Sequence, residues 1–237
     1  MRVLSIVHQA DAGPGVFSPV LAASGHEVEE WRPDLSRSPG RAAADYDATL
    51  VFGGAMHVDQ EAEHPWLAAE KALLAELAAR DAPVLGVCLG AQLMAEAAGG
   101  SARPSSSPEI GWREVGLEAH AGGDPLLGLA PSHFTAFEWH SYEIEAPPGA
   151  LVLAHSDCCL QAFRTGTRSW GIQFHAEVTA DIVTDWIAKD GEQGELAGAD
   201  LDSKELGTET TRRIADSNRL GENLCRRFLA LAEQAPR

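Results

Sequence analysis

Apolar residues in this chain come in short bursts separated by helix-length stretches. Residues 3–7 (VLSIV) form a compact, β-branched run that reads as a strand buried on both faces. A helix is expected from about residue 14 to the glycine at 25. The run 48–52 (ATLVF) reads as a second strand, halted by Gly53 and Gly54. In 65–80, Leu67, Leu74 and Leu77 fall roughly on one helical face behind a proline suited to the first helical position. Residues 83–87 then predict another buried strand, and 89–98 a helix closed by Gly99 and Gly100.

Between residues 110 and 174 the helical period fades, and short segments such as 150–154 and 160–164 predict strands and loops. A helix resumes over 181–188. The acidic, weakly apolar stretch 190–209 is expected to be exposed, as a linker or a lid, and 211–233 carries Ile214, Leu220, Leu224, Phe228 and Leu231 at helical spacing. Strands alternating with helices predict an α/β fold: a mostly parallel sheet with helices on both faces.

A chain of 237 residues, 45% hydrophobic and 22% charged, suits one globular domain spanning residues 1–237. Its net charge of −17 repels phosphate backbones and anionic lipid, so neither nucleic acid nor a membrane is an expected partner. The first apolar run ends at His8, too short for a signal sequence or a membrane span, and a cytoplasmic setting is expected. Cys88, Cys158, Cys159 and Cys225 make no disulfide framework at this length, so reduced thiols are expected.

The most informative segment is PVLGVCLGAQLMAEAAGG, residues 83–100. Cys88 falls where a buried strand stops and a helix starts, between Gly86 and Gly90. Such a turn lifts a side chain into the crevice at the strand's carboxyl end, over a helix N-terminus that favours thiolate. A lone cysteine is more often core filler, but the two glycines and the strand-to-helix setting favour a nucleophile. In Gly171-Ile-Gln-Phe-His175-Ala-Glu177, His175 is the candidate base. Glu177, two residues on in extended backbone, can orient it. Oxyanion donors would be the backbone N–H of Leu89 and one from the glycine loop, at Gly54. No metal is expected: the H-x-E lacks a P-C-x-x-C partner, and no second pair completes the spacing of His155 with Cys158.

The G-V-C-L-G-A-Q around Cys88, the upstream GG and the downstream Q-F-H-A-E resemble the class I (triad) glutamine amidotransferases. The likeness covers most of the chain. D-A-G-P-G, G-G-x-M, H-P-W-L, E-I-G-W, D-P-L-L and E-W-H make it most similar to stand-alone members akin to the amidotransferase domain of GMP synthase. The resemblance implies a flavodoxin-like domain with Cys88 as nucleophile, His175 as base and acid, and Glu177 as its orienter. It further implies an oxyanion hole of Gly54 and Leu89, and glutamine held by Gly53, Gln92 and the Trp139-His140-Ser141-Tyr142 stretch. Ser141 stands where many relatives carry glycine, which narrows the site.

Three functions follow as expectations. The first is hydrolysis of the glutamine γ-amide through a cysteine thioester, without metal or organic cofactor, with ammonia passing to a separate synthase or other acceptor protein. The second is hydrolysis of γ-glutamyl peptides or conjugates at the same residues, and the third a silent binding or regulatory module. Thiol peptidases sharing the elbow usually place histidine directly after the cysteine. Leu89 occupies that position here.

Overall fold

The three strands predicted in the first half align in parallel, together with two more that the hydrophobic pattern does not single out. In the computed structural model, which describes residues 1–35, 38–190, 194–199 and 201–234, the sheet runs β2-β1-β3-β4-β9-β8-β7-β5-β6. Strands β1 (Arg2–Ile6), β2 (Glu27–Trp31), β3 (Ala48–Val51), β4 (Val84–Val87) and β9 (Ser169–Ile172) are parallel neighbours. Beyond β9 every pairing is antiparallel: β8 (Leu160–Thr165), β7 (Leu151–His155), then the long ribbon of β5 (Ser101–Leu117) and β6 (His133–Glu145). The α/β architecture stands, with a mixed sheet whose second half is antiparallel.

Residues alternate across this sheet, as the pleat requires. Val3, Leu50, Leu85, Val87, Trp170 and Ile172 pack on one face with Phe17 of α1 (Phe17–Ala23) and Leu224, Phe228 and Leu229 of α6 (Ser203–Glu233). Leu4, Ile6, Val51 and Val84 face the other way, against Leu67, Leu74 and Leu77 of α2 (Trp66–Ala79) and Leu93 and Met94 of α3 (Leu89–Ala97). Both faces are thereby covered, which explains why these strands read as unbroken apolar runs.

Three departures from the hydrophobic pattern have physical causes. Strand β2 has the sequence EVEEW and buries only Trp31; it forms the sheet's edge, where charge protects against stray pairing and hides the strand from a hydrophobicity count. Strand β5 starts at Ser101, ahead of the expected strand region, and carries Pro104 and Pro108 through a register shift between Pro104 and Glu109. The C-terminal helix begins at Ser203, not at residue 211. Asp202 caps it, its Oδ1 accepting from the amides of Lys204 and Glu205 at 2.8 and 2.9 Å.

The described residues of the stretch 190–209 are mostly exposed or half-buried, as expected of an acidic surface segment, but two apolar ones dock on the domain. Leu196 of α5 (Glu195–Gly198) and Leu206 of α6 are buried with Trp112, Phe137 and Val183. Positions 191–193 and 200 of that stretch lie outside the described residues. Helix α4 (Ala180–Asp190) matches the helix expected after Thr179. Among the described residues no helix is long and apolar enough to cross a membrane.

Helix α3 approaches the sheet more closely than side chains would permit. A Cβ on Gly90 would stand 2.3 Å from the Val51 carbonyl oxygen, and one on Gly86 would stand 2.7 Å from the Gly90 carbonyl carbon. Gly90→Ala must push the helix outward, and we expect a loss of about 1–3 kcal/mol in urea unfolding with an unchanged m-value.

Candidate active site

The turn between β4 and α3 consists of Cys88 alone. Its backbone has φ 51° and ψ −111°, a conformation that costs a side-chain-bearing residue on the order of 1–3 kcal/mol. Neighbouring hydrogen bonds hold it there. The Cys88 amide donates to the Ile172 carbonyl at 2.8 Å, and the Cys88 carbonyl accepts from the Gln92 amide at 3.0 Å, the first turn of α3. The sulfur is thus set over a helix N-terminus, at the carboxyl end of a central parallel strand, 6% exposed.

His175 reaches Cys88 from the segment that follows β9. Its amide donates to the Phe137 carbonyl at 2.8 Å, tying this segment to β6. Nδ1–H donates to Glu177 Oε1 at 2.8 Å, and the imidazole stands beside Cys88 over Gly53, while the Cys88 thiol lies 3.9 Å from the Trp139 carbonyl oxygen. Trp186 of α4 stands edge-on to the imidazole, with ring centroids 4.9 Å apart. Burial opposes charge on His175, but its contacts with Glu177 and Cys88 outweigh it and raise its pKa well above 6.5.

Two glycines clamp the His175–Glu177 backbone from opposite sides. A Cβ on Gly15, whose φ is +45°, would stand 1.9 Å from the Glu177 carbonyl oxygen, and one on Gly221 of α6 would stand 1.8 Å from that of Ala176. This gives the D-A-G-P-G motif a steric reason: the Val16 amide beside it donates to the Glu177 carbonyl at 2.8 Å.

The glycine loop rests on a buried pair that the sequence pattern does not reveal. His8 Nδ1–H donates to the Gly53 carbonyl at 3.0 Å, and Nε2–H to the Glu70 carboxylate at 3.0 Å, with both side chains fully buried. Burial disfavours the imidazolium, yet Glu70 and the Gly53 carbonyl raise the His8 pKa above 6.5. Gly54 lies against Leu89: a Cβ there would stand 3.2 Å from a Leu89 methyl.

A cavity of about 360 Å³ opens over Cys88. Of the residues picked out from sequence, Gly54, Cys88, Leu89, Gln92, His140, Ser141, Tyr142 and His175 line it. Gly53 and Glu177 stand behind this wall: a Cβ on Gly53 would meet His175 at 3.0 Å, and its carbonyl serves His8. His140 lines the cavity, and its ring nitrogens are aimed at protein groups. Its Nδ1–H donates to the Tyr142 carbonyl at 2.9 Å, and Nε2 faces the buried carboxylates of Glu138 and Glu109 at 3.3 and 3.5 Å, an ionic contact without a well-formed hydrogen bond. The Tyr142 hydroxyl likewise donates to Asp59 at 3.0 Å, and Gln92 Nε2 donates to Gln173 at 3.2 Å.

Sequence reasoning overlooked Gln9, Asp11, Trp186, Lys189 and Glu195, which also line the cavity. Lys189 donates to Asp11, and Trp139 Nε1–H donates to Glu195 at 2.6 Å, so the rim joins α4 and α5 to the loops after β1 and in β6. Gln9 and Asp11 could have been suspected, because they directly follow β1 at the carboxyl edge. His155 and Cys158, the pair with metal-like spacing, are both exposed, and His155 Nδ1–H donates to Glu118 at 2.8 Å.

Comparison with known proteins adds to this geometry. The family profile described as "Glutamine amidotransferase class-I" matches residues 20–188. The glutamine amidotransferase-like protein YfeJ of Salmonella typhimurium is 30% identical over 203 residues, 84% of each chain. A subunit of the glutamine-hydrolyzing GMP synthase of Ignicoccus hospitalis is 42% identical over 99 residues, 40% of this chain and 51% of that one, so the match spans about half of that protein. The crystal structure of a glutamine amidotransferase from Methylobacillus flagellatus superposes with a TM-score of 0.86 at 31% identity, covering 97% of this chain and 94% of that one.

The His8–Glu70 pair predicts a pH signature in stability. Because the folded pKa of His8 is raised, its contribution is full below about pH 6.5 and is lost as pH rises through the higher folded value. Glu70→Gln should cost about 3–5 kcal/mol in the acidic part of that window and progressively less above it, read from urea midpoints across pH.

Proposed function

The chain belongs to the class I glutamine amidotransferase family, and from that premise we propose that it hydrolyses the side-chain amide of glutamine through a γ-glutamyl thioester on Cys88. The observation that carries this reading is the Cys88 sulfur, held at a strained turn over the start of α3, beside a histidine whose far nitrogen is 2.8 Å from Glu177.

His175 is held as an acid at neutral pH by Glu177 and the thiolate, which suits departure of a poor leaving group. The Cys88 thiolate adds to the amide carbonyl, and the oxyanion takes the backbone N–H groups of Leu89 and Gly54. His175 gives its proton to the departing nitrogen, which leaves as ammonia. The neutral imidazole then takes a proton from water, whose oxygen attacks the thioester. Collapse of the second tetrahedral species breaks the C–S bond, restores the Cys88 thiolate beside the imidazolium and releases glutamate, whose new carboxyl gives its proton to solvent. Glu177 holds the tautomer throughout.

The match to proteins named as subunits of GMP synthase supports delivery of ammonia to a separate synthase partner. The four free cysteines agree with a cytoplasmic setting. A γ-glutamyl peptide or conjugate is favoured as an alternative substrate by one feature: the cavity continues from Cys88 to a rim of Trp139, Trp186 and Lys189.

Glutamate release from glutamine by the purified protein tests the reading, with γ-glutamyl peptides assayed in parallel. Cys88→Ala should melt cooperatively and release no glutamate. Turnover in that variant would refute the thioester, and turnover of peptides alone would select the alternative. A wild-type chain that turns over neither and resists an electrophilic glutamine analogue at Cys88 would be a binding module. Glu177→Gln should lower kcat/KM by roughly 10²–10⁴-fold, because the imidazole loses its orienting carboxylate.

A further inference from the structure

Behind the cavity wall lies a cluster of buried polar atoms that lack hydrogen-bond partners. Both oxygens of Glu138, Nε2 of His140 and Oε1 of Gln161 are buried without a well-formed hydrogen bond, His140 Nε2 and Glu138 Oε2 meeting only as an ionic contact at 3.3 Å, and Glu138 is 0% exposed. Buried polar groups are nearly always satisfied, so such a concentration points to a missing species. Three of the four atoms are carboxylate or amide oxygens, which accept from a donor or bind a cation once the Glu138 carboxyl, whose pKa burial raises, has given up its proton.

The groups around them are metal ligands by chemistry. Glu109 lies directly opposite His140 in the β5–β6 ribbon, Glu138 shares the face of His140 two residues away, and Cys159 immediately precedes β8. Ligand atoms of Glu109, His140 and Cys159 all fall within 4.8 Å of one another. Cys159 Sγ stands 3.2 Å from Glu109 Oε2, and His140 Nε2 stands 3.5 Å from that oxygen and 3.3 Å from Glu138 Oε2. Ligands of one tetrahedral zinc, at bond lengths of about 2.0–2.3 Å, are separated by roughly 3.3–3.7 Å. His140 is also prepared as metal-binding histidines are: Nδ1–H donates to a backbone carbonyl, that of Tyr142, and directs Nε2 inward.

We propose that this cluster binds a zinc-type divalent ion through Cys159, His140 and Glu109, with the Glu138 carboxylate beside His140 as a neighbouring acceptor. Mixed sulfur, nitrogen and oxygen donors favour zinc over magnesium or calcium, which take oxygen shells. In the ion-free chain burial and Glu109 keep the Cys159 thiol protonated. On His140, burial is outweighed by Glu109 and Glu138, which raise its pKa to about 10. The ion displaces the thiol proton and the Nε2 proton to solvent; no electron is transferred. The ion ties β5, β6 and the approach to β8 together behind residues 139–142 and leaves the Cys88–His175 pair free. Sequence spacing could not show the site, because its ligands come from three separated strands or loops, whereas the nearby His155–Cys158 pair faces solvent.

The test is anaerobic titration of the full chain with cobalt(II), in a Cys88→Ala/Cys158→Ser background that removes the competing thiols. One equivalent should bind with a sulfur-to-cobalt charge-transfer band and four-coordinate visible bands, both displaced by zinc. Adding Cys159→Ser should abolish the charge-transfer band, and Glu109→Gln, which keeps the thiol, should weaken binding by about tenfold or more. Zinc should raise the melting temperature of the background protein, and far-ultraviolet circular dichroism of the ion-free variants separates lost ligation from lost folding. A band absent from the background protein, surviving Cys159→Ser, or unaffected in affinity by Glu109→Gln would overturn the proposal.

Discussion

Helix α3 lies so near the sheet that its contact surface admits only residues as small as Gly86, Gly90 and Ala91, and Gly171 on β9 makes the same allowance from below. A Cβ on Gly171 would stand 3.1 Å from that of Ala91 and 2.4 Å from the Phe163 ring. With the helix that close, a single residue must turn the chain from β4 into α3, and Cys88 takes a backbone conformation that glycine would adopt at less cost. The sulfur's position and the cavity above it both descend from this approach.

The partners of Cys88 are held by the same economy of backbone contact. Gly15 and Gly221 admit the carbonyls of Glu177 and Ala176, so a loop and the long C-terminal helix meet across the His175 segment. The third support is electrostatic. His8 and Glu70, fully buried, fix the Gly53 carbonyl and through it the loop that offers Gly54. A buried ion pair is an expensive strut compared with apolar packing; it also fixes a backbone group in direction, which packing alone does not.

What could be read in the sequence was what local chain geometry dictates. Cys88 stood out because its strand, glycines and helix are contiguous, and His175 with Glu177 because two residues of extended chain place both side chains together. His8 and Glu70 are 62 residues apart, and no periodicity joins them. Strand β2 was hidden because an edge strand needs charge, and the start of α6 because Leu206 is isolated among acidic and polar residues that face solvent. His140 was legible as a wall residue but not in its orientation, which Tyr142, Glu109 and Glu138 decide from other positions.

The sheet changes from parallel to antiparallel at β9, and the site straddles that seam. The reactive floor comes from the parallel side and from the segment just after β9; the wall at 139–142 belongs to the β5–β6 ribbon on the antiparallel side. At the floor, backbone contacts of the segment after β9, Gln173 with Gln161 and His175 with Phe137, join the two sides. Mutational drift in the ribbon can therefore reshape what the cavity accepts while the floor is inherited intact. Such an arrangement lets one chemistry diversify across substrates, and laboratory selection for altered specificity would do best to randomise the ribbon and spare the elbow.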